Sequence, residues 1–172
     1  MALIYIGVGS NIDREHFVRS GIQALATHFA DVRLSTVYES QAVGFKGSNF
    51  YNLVVEARTA QSVIEVLATL KQIEYAHGRP LDAKKFSART LDLDLLCYDL
   101  LVQDEPVELP RAEILSNAFV LRPLAELSPD LVHPRLGVSL DSLWQAYDAS
   151  RQPLTAVMLD YQLLAEDDMS RR

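Results

Sequence analysis

Strand-like and helical segments alternate along this chain in an order that few folds accommodate. Residues 2–8 form an apolar run that predicts a buried strand. Apolar side chains then recur about every four residues, which predicts a helix over 12–29 with Asn11 as its N-cap. The same spacing predicts a second helix over 61–77, and Gly78 is placed to end it.

The other segments complete the order β-α-β-β-α-β, followed by a mixed tail. Two strand–helix units that frame a hairpin are typical of an α+β fold, the ferredoxin-like split βαβ sandwich, with an antiparallel sheet and helices on both sides. The remaining predicted strands cover 32–40, 52–58, 91–98 and 154–159. The remaining predicted helices cover 118–127 and 139–147.

A length of 172 residues suits one domain. We expect that domain to cover 1–160 and the polar end, 161–172, to fray. No apolar run approaches the roughly 18 residues of a membrane-spanning helix, and the first residues lack the basic leader of a secretory signal. Cys97 is the single cysteine and lies in the apolar run LLCY, which predicts a buried packing residue. A cytoplasmic protein without a membrane partner is therefore expected.

The charge balance argues against nucleic acid as a partner. The chain carries 16 basic and 23 acidic residues, a net charge of -7, whereas nucleic-acid binding draws on many positive contacts to phosphate. One segment runs against this balance, because residues 78–89 hold Arg79, Lys84, Lys85 and Arg89 with a single acidic residue. Charge alone leaves two interpretations of this segment, an ordinary solvated loop or a local site for a small anion.

The sequence RTLDLD at residues 89–94 is the best candidate for chemistry. Side chains two positions apart on a strand point to the same face, so Asp92 and Asp94 are expected side by side. A divalent cation would relieve their repulsion, and oxygen ligands suit Mg²⁺, which often shares itself with substrate phosphates. A bare Asp-x-Asp pair is more often a solvated strand edge. The adjacent basic segment favours phosphoryl-type transfer, because cations beside metal-binding acids are its usual components.

The sequence contains none of the common glycine-rich nucleotide loops. There is no G-x-x-x-x-G-K-[ST] loop and no kinase glycine-rich loop. Gly7 and Gly9 follow a strand, but the third glycine of a dinucleotide fingerprint is missing, which favours a simple turn. A bound nucleotide would therefore be held by side chains.

Six segments of the first 137 residues share one known pattern. They are YIGVGSN, STVYES, NFYNLVVE, LKQIEYAHGR, ARTLDLDLLCYD and AFVLRPLAELSPDLVHP. In these segments the chain resembles the 6-hydroxymethyl-7,8-dihydropterin pyrophosphokinase family of folate biosynthesis. The resemblance implies the ferredoxin-like fold with three mobile loops that close over the substrates. It also implies transfer of a diphosphate from Mg-ATP, the co-substrate, to the hydroxymethyl group of a reduced pterin, with release of AMP.

The resemblance implies a role for each matching position. Asp92 and Asp94 would hold two Mg²⁺ ions, and Arg79 and Arg89 would contact the phosphates. In the pterin site, aromatic rings would stack on the heterocycle and an amide would read its polar edge. The residues implied there are Val43, Phe50, Asn52, Phe86 and Phe119. The residues implied in the ATP site are Lys71, Glu74, Arg79, Arg89, Leu95 and Arg111.

The chain also departs from the family pattern. It has Arg111 where a histidine is usual, and Asn117 and Leu81 where arginines are usual. The cations that could compensate are Lys84, Lys85, Arg111 and Arg122. These departures leave open a non-catalytic paralogue that binds pterin or nucleotide, and the Asp-x-Asp pair by itself leaves open a metal-dependent hydrolase. A monomer is the expected state in each case.

Overall fold

Strands and helices alternate in the predicted order over residues 1–79 and 89–159, which are the residues described by a computed structural model. The strands are β1 (Ala2–Ser10), β2 (Ala30–Leu34), β3 (Val37–Ser40), β4 (Phe50–Thr59), β5 (Asp92–Tyr98) and β6 (Thr155–Val157). The α-helices are α1 (Arg14–His28), α2 (Val63–Ala76), α3 (Glu113–Ser116), α4 (Ala118–Leu127) and α5 (Leu140–Ala146).

The strands form one antiparallel sheet in the order β5-β1-β4-β3-β6, and β2 also pairs with β4. Because β1 and β4 occupy the centre, the two strand–helix units interleave rather than lie side by side. This order confirms the predicted α+β, ferredoxin-like sandwich, to which β6 adds an edge strand.

The prediction of one strand over 32–40 was wrong, because Ser35 and Thr36 separate β2 from β3. The Ser35 hydroxyl accepts a hydrogen bond from the backbone N–H of Val54 at 2.9 Å. The backbone N–H of Thr36 donates to a carboxylate oxygen of Glu126, on α4, at 2.8 Å. A side chain from a distant helix therefore holds the interruption in place.

Helices cover both faces of the sheet, as predicted. On one face α1 and α2 bury a core with alternate residues of β1, β4 and β5, and on the other face α4 and α5 do so with the intervening residues. Each fully buried leucine or isoleucine stabilises the fold by about 1.5–3 kcal/mol relative to an exposed one. Those in the α1/α2 core include Ile4, Ile6, Leu25, Leu53, Leu91 and Leu95.

Alternation along β5 decides where its acids point. Leu93 and Leu95 enter the α1/α2 core, so Asp92 and Asp94 face the side of the sheet that α4 covers. Cys97 lies in the α4/α5 core, is 6% exposed and forms no disulfide, which confirms its predicted packing role. Burial raises the pKa of the Cys97 thiol to about 12.

The two long helices begin and end differently from one another. Helix α2 begins after Ser62, whose hydroxyl accepts the backbone N–H of Glu65. Gly78 follows the end of the helix, as predicted, with a left-handed φ of 90°. Helix α1 begins after Asp13, so the prediction of Asn11 as its N-cap was wrong. The Asn11 side chain instead forms hydrogen bonds with the backbone of two residues distant in sequence, Ser48 and Arg89.

No helix in residues 1–79 or 89–159 combines the length and apolar character that a membrane crossing requires. The expected single domain over 1–160 stays a prediction, and the expected frayed tail at 161–172 lies outside the described residues.

Candidate active site

A cavity of about 450 Å³ opens between the sheet and the N-terminal end of α4. Its floor exists because β1 carries glycine where its neighbours carry polar side chains. Gly9 pairs with Asp92 on one side and Asn52 on the other, and Gly7 pairs with Asp94. Since neighbouring strands lie about 4.8 Å apart, the backbones at Asp92 and Asn52 are separated by roughly 10 Å across an open glycine.

The two aspartates of β5 form one end of the cavity. The side chains of Asp92 and Asp94 are 38% and 48% exposed, so both can meet a ligand. Burial raises the pKa of Asp92, and the nearby charge of Glu74 raises it further. Burial and then the charge of Asp92 raise the pKa of Asp94. The negative charges of these neighbouring carboxylates therefore repel one another, and a bound cation would stabilise them.

This donor set fits a magnesium ion that is shared with a substrate. Two adjacent carboxylates supply hard oxygen ligands and an excess of negative charge. Over the described residues, no three histidine, cysteine or acidic side chains form a group that could enclose an ion. A Mg²⁺ ion here would therefore take its other ligands from water and phosphate, which is its usual preference.

Arg79 and the buried Glu74 support the aspartates from below. An Nη atom of Arg79 lies 2.7 Å from Glu74 and 3.4 Å from Asp92. Glu74 also accepts a hydrogen bond from the backbone N–H of Leu93 at 2.9 Å and is 5% exposed. Arg79 also lines the cavity. It therefore links the buried Glu74 to Asp92, one of the two aspartates that could bind a metal ion.

Arg111 contacts β5 further along the strand, at Asp94, Leu95 and Leu96. Its Nη2 lies 3.1 Å from Asp94, and its Nε donates to the backbone carbonyl of Leu95 at 3.1 Å. The backbone N–H of Arg111 also donates to the carbonyl of Leu96 at 2.9 Å. A cation therefore occupies this side of the cavity.

Arg89 enters the cavity from a backbone position that Asn11 fixes. Asn11 accepts the Arg89 backbone N–H at 2.7 Å through Oδ1 and donates its own backbone N–H to the Arg89 carbonyl at 3.0 Å. Its Nδ2 donates to the Ser48 carbonyl at 3.2 Å. The charge of Arg89 also lowers the pKa of Asp92, opposing the larger effect of burial.

The other end of the cavity is aromatic and amide-bearing. Asn52 is buried, and its Nδ2 donates to the Ser40 hydroxyl at 2.7 Å, which fixes the amide plane. Phe50 and Phe119 both line the cavity, and the ring of Phe45 meets Phe50 edge-on with centroids 6.3 Å apart. A flat heterocycle with a polar edge suits such a lining, because rings stack on it and the amide offers both donor and acceptor.

The structure brings most of the predicted site residues together, with Glu74 buried next to Arg79, and leaves Lys71 and Leu95 outside the cavity lining. Lys71 is exposed and is not part of the cavity lining. The Leu95 side chain is fully buried in the α1/α2 core, and only its carbonyl contributes, through Arg111. Phe86 lies outside the described residues. The predicted residues that line the cavity are Val43, Phe50, Asn52, Arg79, Arg89, Asp92, Asp94, Arg111 and Phe119.

Sequence reasoning missed several lining residues. Gln41, Phe45 and Glu113 line the cavity without having been predicted. Phe45 had a usable signal, since it lies in the glycine-bearing loop next to Val43. Glu113 had none, because the turn that carries it is positioned by the Arg111 backbone on the edge of β5.

The structure shows the contacts of Asn117, a departure from the family pattern, and of Arg122. Asn117 lines the cavity and accepts a hydrogen bond from Gln152 at 3.0 Å. Arg122, a possible compensating cation, instead lies over the rings of Tyr38 and Trp144, at 4.8 and 5.7 Å from their centroids. Leu81, Lys84 and Lys85 lie outside the described residues.

Comparison with known proteins gives one consistent result. Residues 5–129 match the family described as 7,8-dihydro-6-hydroxymethylpterin-pyrophosphokinase. The 2-amino-4-hydroxy-6-hydroxymethyldihydropteridine pyrophosphokinase of Aquifex aeolicus is 34% identical over 137 residues, which is 78% of this chain and 85% of that protein. The Bacillus subtilis protein of the same name is 35% identical over 130 residues, covering 73% of this chain and 77% of that protein.

A solved structure agrees in fold. The wild-type HPPK-DHPS of Plasmodium falciparum, crystallised with pteroate, matches 87% of this chain with a TM-score of 0.70 and 13% sequence identity. At that identity the likeness shows the fold alone. The match covers 43% of the Plasmodium chain, so this chain spans less than half of its length.

Proposed function

The chain belongs to the 7,8-dihydro-6-hydroxymethylpterin-pyrophosphokinase family, and we propose that it transfers a diphosphate from Mg-ATP to 6-hydroxymethyl-7,8-dihydropterin. One observation carries this proposal at the level of the site. Asp92, Gly9 and Asn52 form a row across three neighbouring strands, with the carboxylates at one end and the amide and aromatic rings at the other. The row has room for a transferring group above the glycine.

At the phosphate end, Asp92 and Asp94 would hold magnesium, and Arg79, Arg89 and Arg111 would face the triphosphate. Magnesium bound there would neutralise phosphate charge and favour the nucleotide's entry into a site with its own acids. Two ions are proposed, as the family resemblance implies, and the half-exposed Asp92 and Asp94 would each supply oxygen ligands to them. The arginines supply fixed positive charge for the oxygens on which negative charge develops.

At the pterin end, Phe50 and Phe119 would enclose the ring and Asn52 would bind its polar edge. This arrangement directs the hydroxymethyl group along the sheet toward the aspartates. Its oxygen attacks the β-phosphorus of ATP, the bond from that phosphorus to the oxygen bridging to the α-phosphate breaks, and AMP leaves. The hydroxyl proton passes to solvent. Positioning and electrostatic stabilisation supply most of the rate enhancement.

The relatives named as pyrophosphokinases favour an enzyme over a non-catalytic paralogue. The cavity is also lined by three arginines, Arg79, Arg89 and Arg111, which suit the phosphates of a nucleotide. The proposal also places the reaction in the cytoplasm, where its single cysteine stays reduced. A monomer is proposed because both helix layers pack on their own sheet.

Identification of the nucleotide product tests the proposal. The protein is incubated with Mg-ATP, with and without 6-hydroxymethyl-7,8-dihydropterin, and the products are identified by ³¹P NMR. We expect AMP and pterin diphosphate in equal amounts, formed only when the pterin is present. ADP or phosphate formed without the pterin would indicate a metal-dependent hydrolase. Binding of both substrates without turnover would indicate the non-catalytic paralogue.

A further inference from the structure

Each of the two cavity aspartates has an arginine as its partner, but the two pairs differ. Arg79 contacts Asp92 at 3.4 Å and Glu74 at 2.7 Å, so the buried Glu74 is its closer partner. Arg111 contacts Asp94 at 3.1 Å. Among the described residues, Arg79 thus has two carboxylate partners, whereas Arg111 pairs with Asp94 alone.

This difference matters when a divalent ion approaches. If Asp92 turns to an ion, Glu74 still balances the charge of Arg79 at short range. If Asp94 turns to an ion, the guanidinium of Arg111 loses its carboxylate partner and is left beside a second positive charge. Two cations that compete for one carboxylate in a half-buried site repel each other strongly, because water screens them only in part.

We propose that Arg111 is a placeholder cation, which occupies Asp94 in the free protein and keeps that carboxylate closed to a divalent ion until the nucleotide binds. The inference rests on the proposed function, since it assumes that Asp94 is a magnesium ligand. The triphosphate brings enough negative charge for both the ion and the guanidinium, so Arg111 can leave Asp94 for phosphate when the two arrive together.

The way in which Arg111 is held supports this role. Its backbone N–H and its Nε are bonded to the carbonyls of Leu96 and Leu95 on the edge of β5. The Nε bond holds the guanidinium beside β5, with Nη2 on Asp94, and the Arg111 side chain is 27% exposed and lines the cavity. A ligand in the cavity can therefore reach the guanidinium, whose planar fork suits carboxylate and phosphate alike.

The consequence is positive coupling between metal and nucleotide. The free protein binds a divalent ion weakly, because the ion must displace Arg111. The nucleotide removes that competition, and by linkage the ion strengthens nucleotide binding by the same factor.

Direct measurement of Mn²⁺ binding tests the inference without reference to turnover. Free Mn²⁺ is measured by electron paramagnetic resonance for the wild type, for Arg111→Gln and for Arg111→Lys, each with and without α,β-methylene-ATP. Arg135→Gln is the matched control, since Arg135 pairs with Asp104 at 3.0 Å and does not line the cavity. Circular dichroism and thermal unfolding establish that each variant is folded.

We expect Arg111→Gln to bind Mn²⁺ about tenfold more tightly than the wild type without nucleotide, and to lose that advantage when the analogue is present. Arg111→Lys, which keeps the charge without the fork, lies between them, and Arg135→Gln matches the wild type. Equal Mn²⁺ affinity of the wild type and both Arg111 variants without nucleotide, together with tight binding in the presence of the analogue, would overturn this inference alone. Failure of every variant to bind Mn²⁺ with the analogue present would instead overturn the metal site of the proposed function, and this inference with it.

Discussion

Gly9 is the residue on which the width of the cavity depends. A Cβ atom added at Gly9 would lie 2.9 Å from Oδ1 of Asn52, closer than such contacts allow. Asn52 cannot turn away freely, because its Nδ2 is held by Ser40 at 2.7 Å. At Gly7, two residues earlier on the same strand and face, an added Cβ would meet Leu96 at an ordinary 3.5 Å.

We therefore predict that Gly9→Ala weakens pterin binding about tenfold, the effect of losing one well-placed hydrogen bond. Gly7→Ala, as the matched control, should change it by less than about twofold. The measurement is the quenching of 6-hydroxymethylpterin fluorescence in the presence of Mg²⁺ and α,β-methylene-ATP. Equal effects of the two substitutions would show that the Asn52 amide is not set by the glycine beside it.

His133 is a buried residue with a structural role that depends on its protonation state. Its Nδ1 accepts backbone N–H groups of Arg135 and Leu136, both at 3.3 Å, and the residue is 3% exposed. Burial, and then the positive charge of Arg135, lower the pKa of His133 below its ordinary value. A protonated ring could not accept these bonds at Nδ1.

The sign of the resulting pH dependence follows from that shift. The unfolded chain takes up the His133 proton near the ordinary pKa of about 6.5, and the folded protein does so only at lower pH, so stability is lost as pH falls through this range. We predict a larger fall in Tm between pH 7.5 and 5.5 for the wild type than for His133→Asn, which retains an acceptor but does not titrate. Parallel Tm curves for the two proteins would contradict this role.

At the scale of elements, the position of β5 depends on a close approach of α1. An added Cβ at Gly21 would lie 2.8 Å from a methyl carbon of Leu91, which is fully buried one residue before β5 begins. Gly21 thus lets the helix pack directly on the residue that precedes the aspartates. In an ordinary helix interior, the same glycine would cost about 1 kcal/mol relative to alanine.

At Gly21, the destabilisation from an alanine methyl group that overlaps Leu91 should exceed the gain in helix propensity. We predict that Gly21→Ala lowers the free energy of unfolding by about 1 kcal/mol, because overpacking of about 1–3 kcal/mol exceeds the propensity gain. In a Leu91→Ala background the space is free, so Gly21→Ala should there raise the stability by about 1 kcal/mol. Urea unfolding of the four proteins measures the cycle, and the same sign in both backgrounds would contradict the contact.

The same elements show what a sequence pattern can and cannot predict. Helix α4 was predicted with its observed bounds, because its apolar spacing is local information. The break between β2 and β3 was not, since it is held by Glu126 from α4, ninety residues away. Asn11 was predicted as a helix cap because its position before the helix is local information. Its partners in the fold, Arg89 and Ser48, are distant in sequence and could not be predicted from it.

For the whole molecule, the cavity combines predictable and unpredictable parts. Asp92 and Asp94 could be placed on one face from strand periodicity alone. The roles of Asn52 and Phe119 required the family resemblance, because a buried amide and a half-buried ring have no local signature. The ion pair between Arg111 and Asp94 could not be foreseen from sequence, since it depends on the turn after β5 folding back along that strand.

The most direct test of the molecule's proposed activity is the rate of pterin-dependent AMP formation by Asp94→Asn at saturating Mg-ATP and pterin. The substitution keeps the shape of the side chain and removes its charge, and the raised pKa of Asp94 indicates that the free fold gains by this loss. We predict a rate lower by about 10²–10³-fold, with a Tm at least equal to that of the wild type. A folded Asp94→Asn protein that forms AMP at the wild-type rate would contradict the claim that this carboxylate holds the magnesium required for transfer.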